Sequence, residues 1–333
     1  MRENELVQRY SKDIATFWQQ GHFSHFVGVK NIRINYAIFT DSRHRHSIVI
    51  VPGRCEGYLK YQELIHDFFQ QGYNVFILDH RGQGISQRLL TNPHKGYVES
   101  FDDYRDDLYH FIDKIVTDTN VKNNNLSKPY LLAHSMGSAI SIRLLQQYPQ
   151  CIQAAVLASP MIAINTGTTP LWFAKILIKT GDFFNRYLSN EPWYFLGQKN
   201  YAKKSFADNL LMQSKIRYQI FSTLYQDTAE IQLGGATIHW LNEAIKINRA
   251  IFADIHHLST PLIVLQAGQD KIVDNHAQDK FCQQLNTHYP YSCDQGTPIT
   301  ISGAKHELFF EQDHYRDIAI KNTLQWFSQY TNK

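Results

Sequence analysis

Six short apolar runs, each leading into a new segment of different pattern, constrain this chain more than any other feature. The runs are Ile48–Val51, Asn74–Asp79, Tyr130–Ala133, Ala154–Ala158, Leu262–Gln266 and Pro298–Ile301. Most are near-continuous rather than alternating, the mark of strands covered on both faces. Apolar residues recur at helical spacing across 58–71, 101–118, 137–148, 275–288 and 312–330. Strand–helix alternation of this kind predicts an α/β fold with a doubly wound, mostly parallel sheet. Upstream, Val27–Lys30 and Ile32–Phe39 read as a hairpin. Residues 1–24 read as a leading helical segment, with Leu6, Tyr10, Ile14 and Phe17 at helical spacing.

The alternation breaks between Ser159 and Leu258, where no strand pattern is found and Trp, Phe, Tyr and Lys are frequent. The organisation expected is therefore a sheet core over 25–160 and 255–333, with a helical cap inserted at 161–254. Inside the cap, Lys175, Lys179, Asp182 and Arg186 form one polar stripe. Trp172, Phe173, Ile176, Leu177, Phe183, Phe184 and Tyr187 cover the opposite face. Such a helix is expected to pack its apolar face on the sheet domain. The functional alternative is a lid whose apolar face meets an acyl chain or a membrane surface. Gly181 suggests a break or bend in that helix.

The totals exclude several classes. A chain of 333 residues with 43% hydrophobic content can bury a full core, and a net charge of +3 argues against a nucleic-acid binder. The cysteines, Cys55, Cys151, Cys282 and Cys293, show neither CxxC pairing nor metal-ligand spacing. Scattered cysteines suit a reducing compartment. No signal core begins the chain and no apolar run is long enough to span a bilayer. The expected location is the cytoplasm, either free or peripheral on the inner face of the cell membrane.

Chemistry enters at Ala133-His134-Ser135-Met136-Gly137, where a strand pattern turns straight into a helix pattern. Small-x-Ser-x-small describes a nucleophile elbow, a tight turn that lifts the serine clear of the backbone at the carboxyl end of a strand. Read as structure alone, the serine would cap the helix. Three further features favour catalysis. A hydroxyl needs a base and an orienting acid, and in this architecture they follow in the order serine, acid, histidine, each after a later strand. Asp270 follows the run ending at Gln266-Ala267-Gly268-Gln269. His306 follows the last strand, which distinguishes it among 16 histidines. Asp274 rivals Asp270, although its position before a helix suits capping. An oxyanion needs two N–H donors, for which the amides of Met136 and of Arg54, after the strand ending Val51-Pro52-Gly53, are the candidates. Cys55 has no base in a fitting pattern. Asp79-His80-Arg81-Gly82-Gln83-Gly84 reads as a turn shaping the floor of the site rather than a phosphate loop, since the P-loop lysine is missing.

Taken together, Val51-Pro52-Gly53-Arg54-Cys55-Glu56, Leu78-Asp79-His80-Arg81-Gly82-Gln83-Gly84-Ile85-Ser86, Ala133-His134-Ser135-Met136-Gly137, Gly268-Gln269-Asp270 and Gly303-Ala304-Lys305-His306-Glu307 resemble, in order, an α/β-hydrolase of the monoacylglycerol lipase and lysophospholipase group. The nearer branch is the bacterial lysophospholipases, because Pro52-Gly53-Arg54 stands where the lipases carry His-Gly-x. The resemblance implies Ser135 as nucleophile, Asp270 and His306 as its relay partners, and the Arg54 and Met136 amides as oxyanion donors. The implied reaction is hydrolysis of the acyl ester of a lysophospholipid, releasing fatty acid and a glycerophosphodiester, acyl-transfer chemistry that calls for neither a metal nor a cofactor. Monoacylglycerol or general carboxylic-ester hydrolysis is the enzymatic alternative, and a catalytically silent binding protein the non-enzymatic one. Across 161–220, eight basic residues face three acidic ones. That excess would suit a phosphate-bearing single-chain lipid or an anionic membrane surface, or be a solvated face.

Overall fold

The computed structural model describes residues 2–125, 127–167 and 171–331; the expected outer limits at 1 and 333 and residues 168–170 of the inserted segment lie outside them. Among the described residues eight strands form one sheet: β1 (His22–Val27), β2 (Arg33–Phe39), β3 (His46–Val51), β4 (Tyr73–Leu78), β5 (Tyr130–His134), β6 (Ala155–Ala158), β7 (Leu262–Ala267) and β8 (Ile299–Ile301). Their spatial order is β1-β2-β4-β3-β5-β6-β7-β8. β2 runs antiparallel to both neighbours and every other pairing is parallel. In register, Ile50 lies opposite Ile77 on one side and Leu132 on the other. Every residue of β5 and β7 is buried, which is why these strands read as unbroken apolar runs. From β3 the chain winds outward to β4 and then returns to β5 on the other side, so the sheet reverses direction between β3 and β5. The carboxyl ends of those two strands form the crevice where an open α/β sheet binds ligands.

Helices cover both faces. The leading segment comprises α1 (Glu3–Arg9), a wider turn at Tyr10–Ile14 and α2 (Ala15–Trp18). α3 (Gln62–Gln70) follows, then α4 (Phe101–His110), which continues through Phe111–Val116 into α5 (Thr117–Lys122). α6 (Met136–Gln147) leaves β5 directly. α7 (Leu171–Leu188), α8 (Lys215–Asp227) and α9 (Ile238–Ala253) lie between β6 and β7, and α10 (Asn275–His288) and α11 (Asp313–Ser328) complete the wrap. Phe101, Ile140, Trp240 and Phe281 pack one apolar layer; Tyr61, Phe68, Phe309 and Phe327 pack the other.

Two expectations are corrected here. The leading helix ends at Trp18, and the first strand begins at His22, so Val29–Asn31 is the turn of the hairpin, with Lys30 and Asn31 at φ 57° and 59°. β1 is an edge strand with only Phe26 buried, so no alternating pattern marks it. Its register with β2, from His22–Ile38 to Val27–Arg33, defines it instead.

The second correction concerns α7, which is unbroken at Gly181. A Cβ there would lie 3.2 Å from Ile238 Cδ1, so the glycine allows α9 a close approach. The helix does not pack through its aromatic face. Ala174, Ile178, Asp182 and Asn185 turn inward, while Trp172 (66% exposed), Phe183 (56%), Phe184 (54%) and Tyr187 (75%) face out. The cause is a satisfied carboxylate. Asp182 is buried and receives Asn242 Nδ2 at 2.8 Å and Arg186 Nη2 at 3.2 Å, with His239 Nδ1 at 3.0 Å. The basic excess of the region is also smaller at the surface than the count suggests. Arg217 is buried, forked onto Glu63 at 2.9 Å through Nε and Nη2.

Candidate active site

Ser135 is the residue between β5 and α6, at φ 51° and ψ −114°. An L-residue adopts such a backbone only when its surroundings impose it. The constraint comes from both sides: the Ser135 N–H donates to the Ala158 carbonyl at 2.9 Å, and its own carbonyl accepts from Met161 N at 3.0 Å. The requirement for small neighbours has a direct cause. A Cβ on Gly137 would lie 2.3 Å from the Val51 carbonyl oxygen and 2.4 Å from that of Pro52, both main-chain atoms that cannot step aside. Ala133, two residues before the serine, sits in register between Val51 and Leu157, where one methyl is accommodated.

The later strand ends bring the other two side chains to this serine. Ser135 Oγ lies 2.9 Å from His306 Nε2, and His306 Nδ1 lies 2.7 Å from Asp270 Oδ2. An ionised carboxylate only accepts, so Nδ1 carries the proton and Nε2 accepts from the serine hydroxyl. The second Asp270 oxygen accepts from the amides of Ile272 at 2.7 Å and Val273 at 3.1 Å. Burial pushes the Asp270 carboxyl up, but the His306 hydrogen bond and charge and these two amides outweigh it, holding the group below its ordinary value. Asp274 does not reach the imidazole; it caps α10 by accepting from His276 N at 2.9 Å.

The loop after β3 carries Arg54, and neither the Arg54 N–H nor the Met136 N–H donates to another group among the described residues. The loop is braced from beneath. Glu56 Oε2 accepts from Gly53 N at 2.5 Å, and Gln83 Nε2 donates to the carbonyls of Gly53 at 2.7 Å and Glu56 at 2.9 Å. The turn after β4 thus supports the loop after β3.

A buried polar cluster escaped sequence reasoning. Lys60 Nζ donates to Glu56 at 2.8 Å and to Glu307 at 2.7 Å, and Tyr61 Oη donates to Glu56 at 2.6 Å. His134, next to Ser135, bridges Glu56 at 3.1 Å and the His306 carbonyl at 3.2 Å. Ser159 Oγ donates to that same carbonyl at 2.8 Å. Burial pulls the His134 ring down, yet the charge and hydrogen bond of Glu56 more than compensate and raise it. Burial likewise pushes Glu56 up, and Lys60 and His134 overcome it, leaving the carboxyl well below its ordinary range. The one available signal was Glu56 and Lys60 at i, i+4; the approach of Glu307 is long-range.

The three residues are nearly closed to solvent: Ser135 keeps 6% of its exposure, Asp270 8% and His306 3%. A polar cleft of about 680 Å³ between α4, α7 and α9 is lined by Tyr97, Asp182, Arg186 and His239 and by none of the three. A serine hydroxyl bonded to an imidazole whose far nitrogen meets a carboxylate is equipped for acyl transfer.

Comparison with known proteins is consistent with that chemistry. The model of the family described as serine aminopeptidase S33 matches residues 42–313. Lysophospholipase L2 of Escherichia coli is 36% identical over 99% of this chain and 94% of its own length. A probable lysophospholipase L2 of Haemophilus influenzae is 31% identical, covering 97% of both chains. Among solved structures, a soluble variant of monoglyceride lipase from Saccharomyces cerevisiae shares the fold, with a TM-score of 0.70, 17% identity, and coverage of 94% of this chain and 95% of that one.

Proposed function

The chain belongs to the serine aminopeptidase S33 family of serine hydrolases, and from that premise we propose that it is a lysophospholipase acting through Ser135. In this reading Ser135 Oγ attacks the acyl carbonyl while His306 Nε2 takes its proton. Asp270 keeps the imidazole in the required tautomer and stabilises the imidazolium. The N–H groups of Arg54 and Met136 receive the oxyanion, each worth about 3 kcal/mol of barrier. His306 then returns the proton to the departing glycerol oxygen. Water attacks the acyl-enzyme by the same route and releases the fatty acid.

The observation that carries the reading is the continuous Ser135–His306–Asp270 hydrogen-bond chain in a protein 36% identical, over nearly its full length, to a lysophospholipase. An aminopeptidase would need a free carboxylate for the substrate ammonium. The buried carboxylates beside this serine, Glu56 and Glu307, already meet Lys60. The test is a panel of lysophosphatidylethanolamine, monoolein, p-nitrophenyl butyrate and an amino-acid p-nitroanilide. Fatty-acid release from the lysophospholipid is expected to have the highest kcat/KM. A preference for the anilide or for monoolein would overturn the assignment.

The reading extends to the membrane on which such a substrate resides. The outward face of α7 presents Trp172, Phe173, Ile176, Phe183, Phe184 and Tyr187, while Lys179 and Arg186 of the same helix are exposed and its one acidic residue, Asp182, is buried. An apolar face flanked by exposed cations complements an anionic lipid surface. The scattered cysteine spacing suits a reducing compartment, and in this reading that surface is the inner face of the cell membrane. Phe183→Ser with Phe184→Ser is expected to weaken co-sedimentation with phosphatidylglycerol-containing vesicles about tenfold or more. Unaltered co-sedimentation of the folded variant would refute membrane contact through α7.

A further inference from the structure

Among the described residues, most of the arginines withdrawn from solvent meet a carboxylate. Arg81 pairs with Asp107, Arg105 with Asp102 and Asp106, Arg143 with Asp254, Arg217 with Glu63, and Arg316 with Asp67. Two do not: Arg54, in the loop that follows β3, and Arg88, in the segment that follows β4. Arg54 Nη2 donates to the Gly234 carbonyl at 2.7 Å, Nη1 lies 3.1 Å from Cys55 Sγ, and the guanidinium stands 5.2 Å above the Trp240 ring. Its Nε is buried without a hydrogen-bond partner. Arg88 Nη2 donates to the Glu230 carbonyl, and its Nε and Nη1 are buried without partners.

The two share neighbours. Arg88 lies within electrostatic reach of Cys55 and Tyr225, and Tyr225 Oη donates to the Cys55 carbonyl. The Gly234 carbonyl that holds Arg54 also lies 3.8 Å from Cys55 Sγ. Gly96 keeps the space clear for one of them, since a Cβ there would come within 2.3 Å of Arg54 Nη2. Asp79, a carboxylate within electrostatic reach of Arg88, makes no direct ion pair with it among the described residues. Its oxygens are held instead by main-chain donors, the Tyr58 amide at 2.6 Å and the Ile85 amide at 2.8 Å.

A guanidinium taken from water without an opposing charge is costly, and the cost is removed when a ligand supplies the charge. The main-chain N–H of Arg54 is a proposed oxyanion donor, so its side chain begins beside the ester carbonyl. The glycerol backbone of a lysophospholipid separates that carbonyl from phosphorus by roughly the reach of an arginine side chain. A guanidinium presents several N–H donors in a planar fork matched to two phosphate oxygens.

We infer that Arg54 and Arg88 form the subsite for the phosphodiester of the leaving group, and so set the preference for lysophospholipids over uncharged monoacylglycerols. The inference rests on the lysophospholipase reading and adds the group that enforces it. Arg54→Met and Arg88→Met remove the guanidinium while keeping an unbranched apolar stem, and Arg54→Lys and Arg88→Lys keep the charge but lose the fork. The readout is the ratio of kcat/KM for lysophosphatidylethanolamine to that for monoolein, because a general loss of activity or folding cancels from it.

Each Met variant is expected to lower the ratio at least about tenfold, the Lys variants less, and the loss to appear mainly in KM. Glycerophosphoethanolamine is expected to compete with monoolein in the unmodified enzyme and to lose that effect in Arg88→Met. An unchanged ratio would overturn the subsite while leaving the lysophospholipase reading intact. Inorganic phosphate inhibiting as strongly as glycerophosphoethanolamine would assign the arginines to a free anion and overturn the headgroup role. No lysophospholipid turnover by the unmodified enzyme would remove the reading and the subsite together.

Discussion

Ser135→Ala is expected to abolish fatty-acid release from lysophosphatidylethanolamine, with kcat reduced by about a million-fold, the scale at which loss of a nucleophilic serine leaves only binding and oxyanion stabilisation. The fold should survive. The strain at φ 51° is imposed on the main chain by the hydrogen bonds from Ser135 N to Ala158 and from Met161 N to the Ser135 carbonyl, which alanine retains. The lost side-chain contact is the bond to His306, whose imidazole stays oriented through Nδ1 on Asp270. A fluorophosphonate probe should label the unmodified chain and not the variant. Labelling of Ser135→Ala, or substantial residual release, would transfer the nucleophile to another residue. A chain that neither reacts with the probe nor turns over any ester would revive the binding-protein alternative.

The second large effect is expected at the acid. Asp270→Asn should lower kcat about ten-thousand-fold with little change in stability. The amide can still accept from the Ile272 and Val273 N–H groups through one oxygen. Its NH2 would face His306 Nδ1 and favour the tautomer with the proton on Nε2, the wrong nitrogen for a base. Asp274→Asn is the matched control. Asparagine caps a helix about as well as aspartate, so activity should stay within about twofold, and a large loss there would exchange the two roles. The pH dependence separates the groups further. Because Asp270 is held below its ordinary value, it stays ionised as pH falls through the range where an imidazole protonates. Asp270 should therefore add no titration of its own to the acid limb of kcat/KM in the unmodified enzyme. A second carboxylate titration in that limb would show that Asp270 is not ionised in the free enzyme.

Much of this site was legible because each part depends on local pattern. The strand-to-helix change around Ser135, the turn at Asp270 after β7 and the turn at His306 after β8 are all visible as breaks in periodicity. Their chain order is a property of the fold class, so their convergence could be anticipated without coordinates. The elbow's demand for a small residue at Gly137 was legible as a pattern, but its cause was not: it is the main chain of Val51 and Pro52, distant in sequence.

What local pattern could not carry was partnership. The aromatic stripe of α7 was recognisable, but its outward direction depended on Asp182 meeting His239, Asn242 and Arg186. Edge strand β1 was displaced because its pairing with β2 leaves both its faces largely exposed. The Glu56–Lys60–Glu307–His134 cluster joins the segment after β3, the end of β5 and the segment after β8, and nothing in the spacing announces that Glu307 will turn toward Lys60 rather than toward the imidazole beside it.

The sequence by itself determined the sheet class and the order and placement of Ser135, Asp270 and His306, because hydrophobic periodicity and turn residues act over a few neighbouring positions. Only the tertiary structure decided which charges are matched within the protein and which, at Arg54 and Arg88, are left for a ligand. The free energy of a buried charge depends on what the whole fold brings beside it.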